Sequence, residues 1–323
     1  MRKGLKIALW TILPLTVIII CAVRWQAWFS VPDEPKWTGD SLSGQFVTFA
    51  CDSVPGFIHT SDGWKDLKEP QTLDILFLGD IHSGLHRADY DTLSARVPQA
   101  EVVAQVGDWL ERGQEYYHQL LLREWNESGL SHLPIINCPG NHEYGKGLHK
   151  SLAVQWTEWF PQPLNGPIDQ LGSTYYVDFP HLRFIVIDTT PLDHVVLLTR
   201  TLTWLRQAQY TAGDCYVIVM MHHPVIPAGK GRFCPMIYTT FRYALSSADL
   251  VLSGHDHSYI RRMPFVVANS AGKLKPQREA DFYEKSSSDA TYIHLSVSDS
   301  VLTMRAFRMA DGVLIDEVYV KHD

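Results

Sequence analysis

Leu73-Asp74-Ile75-Leu76-Phe77-Leu78-Gly79-Asp80-Ile81-His82 is an apolar run that halts at a glycine and delivers a carboxylate and an imidazole two residues apart. The same arrangement recurs along the chain. Val102 to Val106 ends in Gly107-Asp108, Leu133 to Cys138 in Pro139-Gly140-Asn141-His142, Tyr216 to Met221 in His222, and Leu250 to Leu252 in Ser253-Gly254-His255-Asp256-His257. Short apolar runs bounded by Gly, Pro and Asn read as strands buried on both faces. In an open α/β sheet the functional crevice lies beyond the carboxyl ends of the strands, so residues that follow separate runs can converge although they are far apart in sequence. The run-ends here offer Asp80, His82, Asp108, Asn141, His142, His222, His255 and His257.

Between the runs the periodicity changes to that of helices, over Ala88 to Arg96, Glu115 to Trp125, Leu152 to Phe160 and Leu198 to Gln209. Tyr117, Leu120, Leu121 and Trp125 form one stripe of the second of these. Tyr175 to Val177 and Phe184 to Asp188 suggest a hairpin around Pro180, and Tyr292 to Val320 holds β-like runs separated by turn residues. That final meander suggests a second, antiparallel sheet packed on the first. The fold class expected is α/β, with a two-sheet β-sandwich core flanked by helices.

The sequence of 323 residues, 46% apolar and 20% charged, is long enough for one large core with appendages. A formal charge of -7 argues against a dedicated polyanion binder, so no nucleic-acid partner is expected. Arg2, Lys3 and Lys6 precede an uncharged run from Ile7 to Val23, followed by Arg24, Trp25 and Trp28. The run suits an uncleaved transmembrane helix, with a cleaved signal peptide as the alternative. The basic residues ahead of it place the N-terminus in the cytoplasm and the globular part on the non-cytoplasmic side of the membrane. The organisation expected is an anchor over 1–29, a linker with edge strands over 30–72, including Phe46-Val47-Thr48-Phe49, and a catalytic domain over 73–323. Apart from Cys21, the cysteines Cys51, Cys138, Cys215 and Cys234 could pair in three ways; Cys138 and Cys215 lie in or beside strand-like runs, where free buried thiols are the favoured reading.

Gly79-Asp80-x-His82, Gly107-Asp108, Gly140-Asn141-His142-Glu143, His222-x-Pro224 and Gly254-His255-x-His257 together resemble the ordered motif set of the calcineurin-like metallophosphoesterases, over about Leu73 to Arg262. The layout from Leu202 to Tyr259 is most similar to the acid phosphatase branch. The resemblance implies a four-layer fold and two divalent ions, Mn, Fe or Zn. One would be held by Asp80, His82, Asp108 and His257, the other by Asp108, Asn141, His222 and His255. It also implies hydrolysis of a small phosphomonoester or phosphodiester by a metal-bridging hydroxide, with His142 as general acid. Two dications about 3.5–4 Å apart need an anionic bridge, which Asp108 can supply.

The purple acid phosphatases carry a metal-binding tyrosinate three residues after the bridging Asp, and this chain has Glu111 there. They also generally lack the ligand His82, which reads as filling the place of that tyrosine. Glu111-Arg112-Gly113 resembles the Asp-Arg-Gly of phosphoprotein phosphatases, where the arginine binds phosphate, so Arg112 joins His223 and Tyr259 as a candidate substrate contact. Glu143, Lys146, His149, His194 and Arg232 flank the motif loops, and an ordinary loop role is as good a reading for each. Trp156, Trp159 and Phe160 read as helix packing. A nuclease of the same fold and a non-catalytic membrane-anchored binding scaffold are the alternative functions, and the complete ligand set weighs against the scaffold. Oligomeric state has no signature in the sequence.

Overall fold

The computed structural model describes residues 56–60, 63–67, 72–83, 89–144, 152, 156, 162–192, 194–226, 235–270 and 283–322. The anchor, the strand over Phe46 to Phe49, Lys146, His149, Trp159, Phe160 and Arg232 lie outside them, as does most of the helix expected over Leu152 to Phe160. In chain order the strands are β1 (Gly56–Thr60), β2 (Gly63–Leu67), β3 (Leu73–Leu78), β4 (Val102–Gln105), β5 (Ile135–Asn137), β6 (Tyr175–Phe179), β7 (Leu182–Ile187) and β8 (Tyr216–Met221). They continue with β9 (Leu250–Ser253), β10 (Tyr259–Arg262), β11 (Phe265–Val267), β12 (Lys285–Ser287), β13 (Thr291–Val297), β14 (Leu302–Arg308) and β15 (Leu314–Val320). Helices cover Tyr90–Arg96, Glu115–Asn126, Val195–Tyr210 and Pro235–Ala244.

The strands form two mixed sheets, ordered β15-β14-β13-β3-β4-β5 and β12-β10-β11-β9-β8-β7-β6. The C-terminal meander corrects the sequence reading. It does not make a second sheet, because β13 pairs antiparallel with β3, Val297 opposite Leu73, and so extends the first. The second sheet is built instead from the middle of the chain, with the expected β6–β7 hairpin at its edge. Among the described residues β1 and β2 pair only with each other, as a small two-stranded hairpin separate from both large sheets. The helix Pro235–Ala244 was also missed, although a proline at the first helical position is a recognised start signal.

Period-two alternation explains why both faces of the central strands are apolar. Ile75, Phe77, Ala104, Val106 and Ile136 from the first sheet meet Phe184, Val186, Ile218, Met220, Leu252 and Val266 from the second in one buried core. The intervening residues Leu76, Leu78 and Val103 pack with Leu93, Leu121 and Trp125 of the helices beside the first sheet. On the other side Ile185, Val217, Val219, Met221 and Val251 pack with Leu197, Leu205 and Phe241. Each such aliphatic side chain contributes roughly 1.5–3 kcal/mol on burial. Trp156 is fully buried in the core of the first helical layer, consistent with a packing role.

Cys138 is a free buried thiol, whereas Cys215, just ahead of β8, is disulfide-bonded, which corrects the expectation of two free thiols. Parallel register sets the functional edge. β3, β4 and β5 run together, with Leu78 opposite Gln105 and Gln105 opposite Asn137, and Met221 at the end of β8 lies opposite Ser253 at the end of β9.

Arg183 of β7 closes the far edge. Its guanidinium forks onto Asp178 at 2.6 and 2.7 Å, donates to the Ala208 carbonyl at 2.8 Å and to the Thr211 hydroxyl at 2.6 Å, and lies 4.2 Å from the centre of the Tyr176 ring. Removing one member of a buried ion pair strands its partner, so Arg183→Ala is expected to cost about 3–5 kcal/mol in urea unfolding, with Asp178→Ala recovering part of the loss. A cost below about 1 kcal/mol, typical of a surface pair, would show that the fork is dispensable.

Candidate metal centre

The loops beyond β3, β4, β5, β8 and β9 are tied to one another through backbone groups. The amides of Ile81 and His82 both donate to the Asp108 carbonyl, at 3.1 and 2.9 Å, and the Gly254 amide donates to the His222 carbonyl at 3.0 Å. The amide of His255 donates to both oxygens of Asp80, at 2.9 and 3.0 Å. His82, Asp108, His255 and His257 all have positive φ, at 58°, 48°, 69° and 51°. Non-glycine residues held there cost of order 1–3 kcal/mol each and persist only where the surroundings over-determine them. Two glycines allow the close approach. A Cβ on Gly140 would lie 2.4 Å from the Asp108 amide nitrogen, and one on Gly254 would lie 2.2 Å from Asp80 Oδ1.

The result is a cluster in which ligand atoms of Asp80, His82, Asp108 and His257 lie within 4.8 Å of one another, as do those of His222, His223 and His255. His257 Nε2 is 3.0 Å from Asp80 Oδ2 and 3.2 Å from His82 Nε2. His222 Nε2 is 3.3 Å from Asp108 Oδ2 and 3.2 Å from His255 Nδ1. The His222 ring is oriented by its Nδ1, which donates to the Val106 carbonyl at 2.9 Å and so leaves the Nε2 lone pair facing these acceptors. Acceptor atoms pressed together in this way call for a cation, either a proton or a metal. Asn141 Oδ1 is buried without a hydrogen-bond donor. The donor set of imidazole, carboxylate and amide oxygen therefore fits divalent Mn, Fe or Zn better than Mg.

Electrostatics follow from this crowding. Burial alone would raise Asp80, yet the hydrogen bond from His257 and the charge of His222 bring it below the ordinary carboxylate value. Asp108 is lowered further, burial being outweighed by His222 and then His142. His222 is buried, which by itself depresses it, but the Asp108 carboxylate drives it up to about 10. His82 is dominated by burial and falls to about 3. The pocket thus favours positive charge strongly on one side.

His142 is placed differently. Its Nδ1 donates to the Glu111 carbonyl, its amide donates to Asp108 Oδ1 at 2.9 Å, and its Nε2 lies 3.9 Å from Asp108 Oδ2. Its side chain is 28% exposed against 3% or less for His82, Asp108, His222 and His257, so it lies at the mouth of the cluster. His223 sits beside His222 and His255, its Nδ1 2.8 Å from the Thr189 hydroxyl and its ring 4.9 and 4.6 Å from theirs. Arg112 is exposed, next to Gly113, which packs on the His142 and Glu143 backbone. Tyr259, a candidate substrate contact by sequence, is engaged within the fold. It is fully buried in the sandwich, its hydroxyl donates to Asp316 at 2.8 Å, and burial beside that carboxylate raises its pKa. His194 immediately precedes the helix Val195–Tyr210.

Glu143 was underestimated. Its buried carboxylate accepts the amides of Asp108 at 2.9 Å, Leu110 at 3.0 Å and Gly140 at 2.6 Å, joining the β4 and β5 loops. Burial, then the Asp108 charge, pushes it up to about 7. Its adjacency to Asn141-His142 marked it, but nothing in a linear sequence shows which amides a carboxylate will meet.

A family model described as calcineurin-like phosphoesterase matches residues 73–259. The glycerophosphodiester phosphodiesterase GpdQ of Enterobacter lignolyticus (strain SCF1) is 26% identical over 174 residues, 50% of this chain and 56% of that protein. The chain therefore spans only a little over half the length of that relative. Among solved structures, purple acid phosphatase PPD1 from yellow lupin (Lupinus luteus) seeds superposes with a TM-score of 0.60 at 16% identity, over 83% of this chain and 59% of that one. GAP50, the anchor in the inner membrane complex of Plasmodium, superposes at 0.56 and 14% identity, over 78% of this chain and 89% of that one. At such identities these two likenesses concern the fold alone. The family model covers every loop of the cluster from Asp80 through His257, and the chain belongs to the calcineurin-like phosphoesterase family.

Proposed function

We propose that the protein is a dinuclear metal-dependent hydrolase of small phosphate esters, monoester or diester. The observation that carries the reading is the facing of lone pairs in two adjacent sets, His82 with His257 around Asp80 and His222 with His255 around Asp108. Asp80, His82, Asp108 and His257 would hold one ion and Asp108, Asn141, His222 and His255 the other, with Asp108 shared. Ions bound there would supply Lewis acidity at a phosphoryl oxygen and at the attacking water.

The chain's own contribution is orientation and proton delivery. The Val106 carbonyl fixes the tautomer of His222, and the Glu111 carbonyl does the same for His142. With Nδ1–H so engaged, a protonated His142 has its Nε2–H to give to the departing alkoxide, and its position at the mouth brings that atom to the ligand. His223, oriented by Thr189, and Arg112 are the candidate contacts for the remaining phosphate oxygens. Orientation of this kind matters because phosphate ester hydrolysis is slow without help, with enhancements reaching about 10²¹ on record.

We further infer a membrane-anchored enzyme with its catalytic domain on the non-cytoplasmic side. The uncharged run from Ile7 to Val23 with its preceding basic residues supports this, and so does the disulfide at Cys215, since disulfides persist in oxidising compartments. Among the described residues no helix is long and apolar enough to cross a membrane, and the run itself lies outside them.

The full chain in detergent is expected to carry two ions of Mn, Fe or Zn by elemental analysis and to hydrolyse p-nitrophenyl phosphate, its bis ester, or both, losing activity to chelators. A chain that holds metal yet turns over no phosphoester would instead be a binding scaffold, and cleavage of DNA in preference to small esters would make it a nuclease. His142→Ala should retain both ions while kcat falls about 10²–10⁴-fold for alkyl leaving groups. The p-nitrophenyl ester, whose leaving group needs little protonation, should suffer less, and an equal loss on both substrates would remove His142 from the acid's role. In sealed vesicles from expressing cells, the catalytic domain should be digested only by protease on the non-cytoplasmic face; digestion from the cytoplasmic face would reverse the topology.

A further inference from the structure

Resting on the metal-centre reading, one buried carboxylate in the cluster has no role so far. Glu111 is 9% exposed, and its amide donates to the Ser83 carbonyl at 3.1 Å, which fixes its backbone against the loop that carries His82. Its Oε2 lies 3.1 Å from His82 Nδ1. The ring nitrogen and the carboxylate oxygen are both buried, the contact is off the ideal hydrogen-bond direction, and neither atom has another partner to bond. The opposite nitrogen of the same ring, Nε2, faces His257 Nε2 at 3.2 Å and Asp108 Oδ2 at 3.9 Å, inside the cluster. His82 therefore stands between the candidate ion site and the Glu111 carboxylate, which also lies within 4.8 Å of a ring nitrogen of His142. Glu111 also presents its backbone carbonyl to His142 Nδ1, so one residue reaches a candidate ligand by its side chain and the candidate acid by its main chain.

We propose that Glu111 is a positioning residue for His82: its carboxylate accepts Nδ1–H, fixes the tautomer that leaves Nε2 free for the ion, and makes that imidazole a stronger donor. An imidazole neutral at Nδ1–H can turn or tautomerise, whereas one backed by a carboxylate is held in a single ligating form, and such partners typically alter metal affinity 10–100-fold. The arrangement also follows from local geometry. His82 sits at a φ of 58°, a conformation that the loop alone does not favour, and the Glu111 contact is one of the restraints that keeps its ring in place. The site that contains His82 should depend on Glu111 more than the site built from Asn141, His222 and His255, because the Glu111 carboxylate is grouped with His82 and His142 and not with His222 or His255 among the described residues.

The test is titration of the metal-free full chain with Co(II), followed by its d–d absorption and by competition with a calibrated chelator, for wild type, Glu111→Ala and Glu111→Gln. Wild type should show two binding steps. In Glu111→Ala one step should weaken about 10–100-fold while the other is unmoved. Glu111→Gln keeps an acceptor without the charge and should fall between the two. A structural role alone would lower thermal stability and weaken both steps together, and that result, or two unchanged steps in Glu111→Ala, would overturn the proposal. Should Glu111→Ala fail to fold, Glu111→Gln decides: one weakened step supports the relay, and two wild-type steps refute it. If wild type itself binds no metal, the proposed function fails, which is distinct from a wild type with two steps that Glu111 does not influence.

Discussion

Asp108 is the group on which the structure turns. Its carbonyl receives the amides of Ile81 and His82, its own amide is received by Glu143, and its carboxylate takes the His142 amide while facing His222, His82 and the His142 ring. A single residue after β4 thus holds the loops after β3, β5 and β8 in one place. The backbone hydrogen bonds do this without consuming the carboxylate Oδ2, which stays turned toward the imidazoles. Substituting a neutral side chain would leave the loops tied through the main chain and remove the charge around which they close.

That charge is expensive to keep. A buried carboxylate in a dry setting is tolerated only with hydrogen bonds and counter-charge, and here Asp80 and Asp108 lie beside each other with the buried Glu143 close behind. The histidines compensate unequally, since His222 is drawn toward its protonated form and His82 is pushed away from it. An array with so much negative charge, so little water and positive φ at four of its residues does not stabilise the fold for its own sake. It is what would be needed to hold two cations rigidly, and the tertiary core on either side of the two sheets bears the cost.

The strand ends were legible because the chemistry that makes a buried parallel strand, an uninterrupted apolar run, stops abruptly where polar residues begin. Asp80, Asp108, His222, His255 and His257 were found in that way, and the sheet register brings them together. The C-terminal meander was misplaced because strand pattern reports burial and not partnership, and only the pairing of β13 with β3 shows which sheet it joins. Tyr259 was a candidate because it lies two residues after His257, but β10 begins there and its side chain is already inside the sandwich. The disulfide of Cys215 was hidden for a related reason, since a cysteine beside a buried run looks the same whether it is bonded or free.

The exchange of tyrosine for glutamate at position 111 has a structural logic. A glutamate carboxylate there stops at His82 Nδ1, and the histidine completes the reach with Nε2. The carboxylate and the imidazole together span the distance from the segment after β4 to the cluster. The same glutamate offers its carbonyl to His142 Nδ1. One short segment after β4, Asp108 to Gly113, thus reaches both His82 and His142, by the Glu111 side chain and by its carbonyl.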